Sequence, residues 1–494
     1  MKSENTLVGI TLLGLGPGSP ELLTRQAWGI LENSSEIYLR TRQHPVVASL
    51  PEHLRLHSFD ELYESSDTFE AVYSQIVERV LELGRRPEGV IYAVPGHPFV
   101  AEATAPEITR RAGAQGIPVQ VVEGLSFLEP TLSALGLDPF SNTTLVDALD
   151  LASAHVPPFP PDAPALIAQI HSQAVASEVK LTLMSLYPDR HPVQLVHGAG
   201  TPEMRVESLA LYEIDRSSHT GLLTTLHVPP LGPATSFEAF LEIIAHLRAP
   251  DGCPWDREQT HQTLRASLLE ETYEVLSALD DGDPQAMQEE FGDLLLQIVL
   301  HAQIASEYGE FTMSDVLHSI HAKIVRRHPH VFGDLQLKDS RRVLQNWEQL
   351  KAQERANNNK AQASLLDSIA LALPALVQAQ EYQQRAARVG FDWPDIQGVL
   401  AKLEEELLEV HSAEGVEARA TEIGDLLFAV VNLARWYKVD AESVLRETNQ
   451  RFRQRFAYIE QAARAQNRSI SELSQDEMES FWQAAKEFYR QPRD

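Results

Sequence analysis

The chain has 494 residues, 43% of them hydrophobic and 22% charged, a globular balance in a length that excludes one ordinary core and implies two to four domains. A formal net charge of −29 excludes non-specific binding to nucleic acid or anionic lipid, and any phosphate ligand must be met by metal ions and a local basic patch. One cysteine (Cys253), no apolar run of transmembrane length and no signal-peptide pattern in Met1-Lys2-Ser3-Glu4 lead us to expect a cytoplasmic enzyme, without a membrane or nucleic-acid partner.

Leu7 to Leu15 is an apolar run ending in Gly14-Leu15-Gly16-Pro17-Gly18-Ser19-Pro20, and a helical pattern follows from Glu21 to Leu31. Strand, glycine turn and helix open an α/β unit, the glycines allowing positive φ or close approach of a ligand to the backbone. The spacing matches neither the dinucleotide fingerprint nor a P-loop. Taken alone, a glycine turn after a strand is most often only a turn. Two more follow, however: Gly89 to Val94 runs into Pro95-Gly96-His97-Pro98, and Pro118 to Val122 into Glu123-Gly124-Leu125-Ser126. This alternation predicts a parallel sheet with its ligand at the strand C-termini. After the proline-rich loop Pro157 to Pro161, Ala165-Leu166-Ile167 and Lys180 to Met184 begin a second α/β stretch, which continues through Val193 to Val196 as far as Leu222 and Leu223.

Gly14-Leu-Gly-Pro-Gly, Val94-Pro-Gly-His-Pro-Phe and Glu123-Gly-Leu-Ser resemble the tetrapyrrole (corrin/porphyrin) methylase family over nearly all of residues 5–229. The resemblance implies two α/β lobes with S-adenosylmethionine in the cleft between them, contacted near Gly16, Gly18, Gly96, His97 and Ser126. Ser19 and His97 stand where many active members of that family carry Asp. It implies the fold more firmly than the methyl transfer.

Pro229-Pro230-Leu231-Gly232-Pro233 is a stiff boundary, beyond which strand patterns give way to amphipathic helices. Phe237 to Leu247 is the first of these. A loop with Cys253-Pro254-Trp255-Asp256 follows; Cys253 reads as structural, and Trp255 either stacks on a nucleobase or caps the bundle. Next come Glu270-Glu271-Thr272-Tyr273-Glu274 and Glu290-Phe291-Gly292-Asp293, then the cations Lys323, Arg326 and Arg327. Such cations suit a polyphosphate, arginine giving forked contacts, or simply complement a helix C-terminus. Asn346-Trp347-Glu348 and Lys351 precede a polar break at Asn357 to Lys360.

The same order then returns. Val389-Gly390-Phe391-Asp392-Trp393-Pro394 is followed by Glu405-Glu406-Leu407-Leu408-Glu409, by Glu422-Ile423-Gly424-Asp425, by Asn449, Arg451, Arg453 and Arg455, and by Trp482 and Lys486. Both second helices read Glu-x-Gly-Asp-Leu-Leu, so the acids are an internal duplication and not a solvated charge run. In each, two helices joined by a short connection would bring the carboxylates to one edge of a hairpin. In the second, Leu403, Leu407 and Val410 on one helix and Ile423, Leu426, Leu427, Val430 and Val431 on the other form the expected apolar stripes. Clustered carboxylates repel unless a cation joins them, and a set of hard oxygen donors suits Mg²⁺, or Mn²⁺, better than Zn²⁺.

Both units resemble the MazG-type nucleoside triphosphate pyrophosphohydrolases, all-α proteins that hold magnesium with E-E-x-x-E and E-x-x-D acids, over about 230–494. The expected architecture is multidomain: an α/β two-lobed methylase-like domain at 1–229 and two all-α helical units at 230–356 and 361–494. The expected metal ligands are Glu406, Glu409, Glu422 and Asp425, and by the same argument Glu271, Glu274, Glu290 and Asp293. Glu405 is the candidate to orient or deprotonate water, with Glu406 beside it at the reacting centre. Nucleotide contacts are expected from Trp255, Lys323, Arg326, Arg327, Phe391, Trp393, Asn449, Arg453, Arg455, Trp482 and Lys486. The denser basic residues favour the second unit. Each hairpin has too few helices to close a core, so either the two units pair within the chain or two chains form a homodimer. Two rivals stand beside the hydrolase: an S-adenosylmethionine-dependent methyltransferase with a helical accessory, and a non-catalytic interaction module.

Overall fold

The computed structural model describes residues 9–489 apart from 66–67, 141, 337–338, 341, 344–345, 348–349, 351–353, 355–363 and 368. Glu348, Lys351, the break at Asn357 to Lys360 and the boundary expected between 356 and 361 lie outside the described residues. The chain divides into two units, Met1–Glu258 and Gln259–Asp494. Helix Phe237–Arg248, grouped with the helical half in the sequence reading, falls in the first unit. Its N-cap Ser236 donates to Asp162 at 2.6 Å, and Leu231 N–H donates to Pro161 O at 2.7 Å.

In the first unit, β1 (Ile10–Gly14), β2 (Glu36–Leu39), β3 (Arg55–Ser58), β4 (Val90–Val94) and β5 (Val119–Val122) form an all-parallel sheet in the order β3-β2-β4-β1-β5. β1 and β4 are buried along their whole length because both faces are covered. Alternate residues divide between two cores, as the strand period of two demands. Ile10, Leu12, Tyr92 and Val94 pack with helices α2 (Phe69–Leu83) and α3 (Thr104–Ala114), while Leu13, Ile91 and Ala93 pack with Ala27 and Leu31 on the opposite side. The chain leaves β1 toward one face and β4 toward the other, which opens a crevice at their C-termini.

The second lobe is a mixed sheet, with β6 (Thr144–Asp147), β7 (Ala165–Ala168), β8 (Pro192–His197), β9 (Arg205–Ala210) and β10 (Thr224–Val228) in the order β6-β7-β10-β8-β9. β10 runs antiparallel to both neighbours. Lys180 to Met184 is the last part of helix α4 (Gln173–Met184).

The second unit is helical. α5 (Arg265–Asp281) and α6 (Pro284–Glu307) form the first acid hairpin, followed by α7 (Met313–Arg327). The hairpin turn is legible residue by residue: Gly282 takes φ +66° at the C-cap, and Asp283 then accepts from Gln285 and Ala286 N–H as the next N-cap, with Pro284 at the first helical position. α8 (Ala375–Arg388), α9 (Ile396–Ser412), α10 (Val416–Trp436), α11 (Ala441–Ala465) and α12 (Gln475–Phe488) build the second repeat around its own acid hairpin, α9 with α10. No helix among the described residues is long and apolar enough to cross a membrane.

One expectation is corrected here. The stripe assigned to the core is split: Leu407 is 59% and Leu427 53% exposed, with Ile423 and Val430 also exposed, whereas Glu406 is 5% exposed. A hairpin of two helices covers only a narrow strip of each, and the strip that closes contains Val399, Glu406, Ala429 and Val431. Pairing of the two acid hairpins within the chain is not what covers the remainder. The repeats are tied instead from α11 to the end of α5, by Arg446 with Asp280 at 3.5 Å and Gln450 donating to Asp281 at 2.8 Å.

At the crevice the glycine turns interlock. Gly16 N–H donates to Gly96 O at 3.2 Å and Gly96 N–H returns to Gly16 O at 2.8 Å. A Cβ at Gly124 would lie 2.4 Å from Gly96 O, and one at Gly14 2.6 Å from Gly124 N, so backbone meets backbone with no room for a methyl. Gly124→Ala should therefore cost about 2 kcal/mol or more and speed exchange of the β1 and β4 amides about 30-fold, read by hydrogen exchange with mass spectrometry. Unchanged protection there would sink the account.

Candidate active site

Two sets of three carboxylates converge, each with ligand oxygens within 4.8 Å of one another: Glu406, Glu409 and Glu422 in the second repeat, and Glu271, Glu274 and Glu290 in the first. The spacing on α9 puts Glu406 and Glu409 on one side of the helix, and α10 packs beside it so that Glu422 faces them. Glu406 is the buried member, and its Oε2 has no hydrogen-bond partner. Its Oε1 is met by Lys402 Nζ at 2.8 Å, and the same ammonium lies 2.8 Å from Glu405 Oε1. Lys402 carries no mark in the acid motif, and the sequence reading missed it; its i,i+4 spacing to Glu406 was the available signal. Those two hydrogen bonds, to Glu405 and then Glu406, raise the lysine above its ordinary range. Lost hydration and then the neighbouring Glu406 raise Glu409. Asp425 is exposed and outside the converging three.

In the first cluster, lost hydration raises Glu271, with Asp293 and Glu274 adding to it, and Glu290 is raised in the same way, with Glu274 and then Asp293 adding. Asp293 is thus close enough to act on the cluster while lying outside its three converging members. All-oxygen donors, one of them buried with an unpartnered oxygen in the second cluster, fit a hard divalent cation.

The basic and aromatic residues of the second repeat are only partly gathered. A cavity of about 420 Å³ between α11 and α12 is lined by Arg451, Gln454, Arg455, Lys486 and Tyr489. Arg455 and Lys486 are among the residues expected to contact nucleotide. Arg453 is absent from the lining because, two residues from both Arg451 and Arg455, it projects from the other side of the helix. Arg451, Gln454 and Tyr489 were not among the expected contacts. The Arg455 guanidinium lies 5.5 Å over the Trp482 ring, and Phe452 lies 5.3 Å from Trp482, which also packs on the Ile459, Ala463 and Leu473 core. Asn449 is exposed.

The Phe391 to Trp393 loop is held at its middle and at its C-terminal end. Asp392 takes both terminal nitrogens of Arg435, at 3.0 and 2.5 Å, which holds its carboxyl below the ordinary range. Trp393 lies so close over Gly398 that a Cβ there would be 2.7 Å from the ring, while Phe391 is 82% exposed. In the first repeat Lys323 is exposed, and Arg326 and Arg327 both grip Glu354, at 2.7 and 2.6 Å, Arg327 foremost in holding that carboxyl down to about 2. Trp255, on the short helix Pro254–Glu258 of the first unit, is 62% exposed.

At the glycine crevice, Gly16, Gly18 and Gly96 all take positive φ. Ser126 is buried and donates to Glu129 at 2.7 Å, and the Phe99 N–H donates to His97 Nδ1 at 3.1 Å. His44, which no motif marks, is buried against the Gly16 backbone with its Nδ1 unpartnered, and burial pushes its imidazole down to about 4.

The profile of the MazG nucleotide pyrophosphohydrolase domain matches residues 259–332, and that of the Tetrapyrrole (Corrin/Porphyrin) Methylases matches residues 9–215. The chain is 43% identical over 250 residues to the nucleoside triphosphate pyrophosphohydrolase/pyrophosphatase MazG of Thermotoga maritima, covering 51% of this chain and 95% of that one. The chain belongs to the MazG family. It carries a tetrapyrrole methylase domain ahead of its MazG region, and the whole arrangement is similar to the uncharacterized protein YabN of Bacillus subtilis: 42% identity over 496 residues, covering 97% of this chain and 99% of that one. Among solved structures, the uroporphyrin-III-C-methyltransferase of Thermus thermophilus aligns at a TM-score of 0.35 and 21% identity, over 45% of this chain and 93% of that one.

The His44 environment makes the first unit of this MazG-family chain sensitive to acid. The unfolded chain takes up the proton near the ordinary value of 6.5, the folded one only near 4, so stability is full above 6.5 and falls as pH drops through that window. Unfolding of the first unit should lose up to about 3 kcal/mol between pH 7 and 4 from this group, and His44→Gln should flatten that slope. Parallel pH profiles for the two proteins would refute it.

Proposed function

We infer that the chain is a divalent-metal-dependent nucleoside triphosphate pyrophosphohydrolase, converting a (deoxy)nucleoside triphosphate to the monophosphate and pyrophosphate. The observation that carries this reading is the pair of converging carboxylate trios, one of them in the same repeat as a cationic cavity edged by aromatic rings. The Thermotoga maritima relative named above for this activity lends it support.

Glu406, Glu409 and Glu422 would hold Mg²⁺, or Mn²⁺, with Asp425 approaching from the next turn of α10; Glu271, Glu274, Glu290 and Asp293 would do the same in the first repeat. A divalent ion held by these residues would supply positive charge against the phosphates and lower the pKa of a bound water. Glu405, exposed and paired with Lys402, would orient that water. Arg451, Arg455 and Lys486 would neutralise the leaving pyrophosphate, and Trp482 with the pinned Phe391–Trp393 loop would offer faces to the base. Arg326 and Arg327, already forked onto a carboxylate, show the geometry a phosphate would use. We favour the second repeat as the active one.

Leu407, Leu408, Ile423, Leu427 and Phe428 on the second hairpin and Leu269, Phe291, Leu295 and Ile298 on the first leave apolar side chains exposed, best covered by a second copy of the chain. A homodimer mass by light scattering is expected, and a monomer at all concentrations would remove this part. A second activity, binding of S-adenosylmethionine at the crevice of the first unit, is favoured by the unpartnered His44 Nδ1 and by the positive-φ glycines Gly16, Gly18 and Gly96.

The deciding assay is pyrophosphate release from a panel of nucleoside triphosphates. We expect release with magnesium, none with chelator, and a loss of about 100-fold or more in Glu406→Ala. Release that survives in Glu406→Ala but not in Glu274→Ala would move the chemistry to the first repeat. No release from any nucleotide would refute the hydrolase.

A further inference from the structure

We propose that Lys402 is a built-in competitor for the divalent cation at the second carboxylate cluster, so that the two clusters of one chain load differently: the first takes a metal ion by itself, the second takes it together with a nucleotide. The inference rests on reading both clusters as metal sites and concerns how that binding is controlled.

The two clusters are copies of one motif, which makes each a control for the other. In the second, Lys402 Nζ lies 2.8 Å from Oε1 of Glu406, whose side chain is 6% exposed, and 2.8 Å from Glu405. The lysine sits four residues ahead of Glu406 on α9, so the helix itself delivers the ammonium to the carboxylate. The equivalent position ahead of Glu271 is Ser267, which brings no charge. Among the described residues, no ion pair engages Glu271, Glu274 or Glu290.

A divalent ion binding at Glu271, Glu274 and Glu290 therefore displaces no cationic side chain among the described residues. At Glu406, Glu409 and Glu422 it must take a buried carboxylate oxygen that already has a cation, or bind by Glu406 Oε2 alone with an ammonium a few ångströms away. Like charge at that distance opposes it. The lysine stem is flexible, and a polyphosphate offers its ammonium another anion, releasing Glu406 to the metal. Nucleotide and metal then raise each other's affinity at this cluster, as linkage requires. At the first cluster no lysine among the described residues provides such coupling.

The test is direct binding of Mn²⁺ to the full chain, followed by electron paramagnetic resonance, with and without a non-hydrolysable nucleoside triphosphate analogue. The wild type should bind one ion per chain tightly without nucleotide and a second only with it. Lys402→Met should bind the second without nucleotide, at least about tenfold more tightly than the wild type, the scale of one unit charge nearby. Ser267→Lys should weaken the first ion similarly, which keeps the test open if the Lys402 variant fails to fold. Two equally tight ions in the wild type without nucleotide would overturn the proposal, as would a Lys402→Met or a Ser267→Lys protein that binds metal as the wild type does. If neither Glu271→Gln nor Glu406→Gln lowers Mn²⁺ uptake, the metal-site reading itself fails, which is a separate result.

Discussion

The helical half of this chain is organised by the cost of bringing like-charged carboxylates together. Three acids whose oxygens lie within 4.8 Å of one another repel at any effective dielectric a protein offers, and burial of one of them removes the hydration that would soften the repulsion. The two repeats meet that cost differently. In the first, Glu271 and Glu290 hold their protons more tightly; in the second, a lysine one turn away supplies positive charge to the buried Glu406. Such an arrangement is poor for stability and good for capturing a cation, and functional sites often carry that trade.

The hairpins also explain the surface. To converge the acids, each pair of helices must turn a polar edge inward, and the leucines and phenylalanines that would have closed a core are left outside. Burying Glu406 and exposing Leu407 are two sides of one rotation about α9, since neighbouring residues on a helix lie about 100° apart. An apolar face that the chain does not cover itself is what the proposed homodimer rests on.

The first unit solves a different problem with backbone alone. Three glycine turns from β1, β4 and the end of β5 meet at distances that admit no Cβ, so the crevice is shaped by main-chain contact and not by side chains. This makes the glycines of the motif serve two purposes. Gly14 and Gly124 hold the strand ends together, whereas a Cβ at Gly96 would meet only ordinary contacts at 3.9 Å and beyond, its positive φ being what favours glycine there. The parallel order places that crevice where the chain leaves β1 and β4 toward opposite faces.

The sequence by itself determined the local features: the strand–turn–helix alternation of the first half, the duplicated acid hairpin, and the resemblance to two families. All of these depend on spacing and residue type along the chain, which period-2 and period-3.6 geometry translate directly into faces. Tertiary structure alone decided which way each face turned. It placed Glu406 inside and Leu407 outside, set Arg453 apart from Arg455 in the cavity wall, engaged Arg326 and Arg327 with Glu354, and put the unmarked His44 against Gly16. A motif records which residues share a face; only packing against other elements decides whether that face meets solvent, a carboxylate or a cation, because burial is a property of the neighbours and not of the residue.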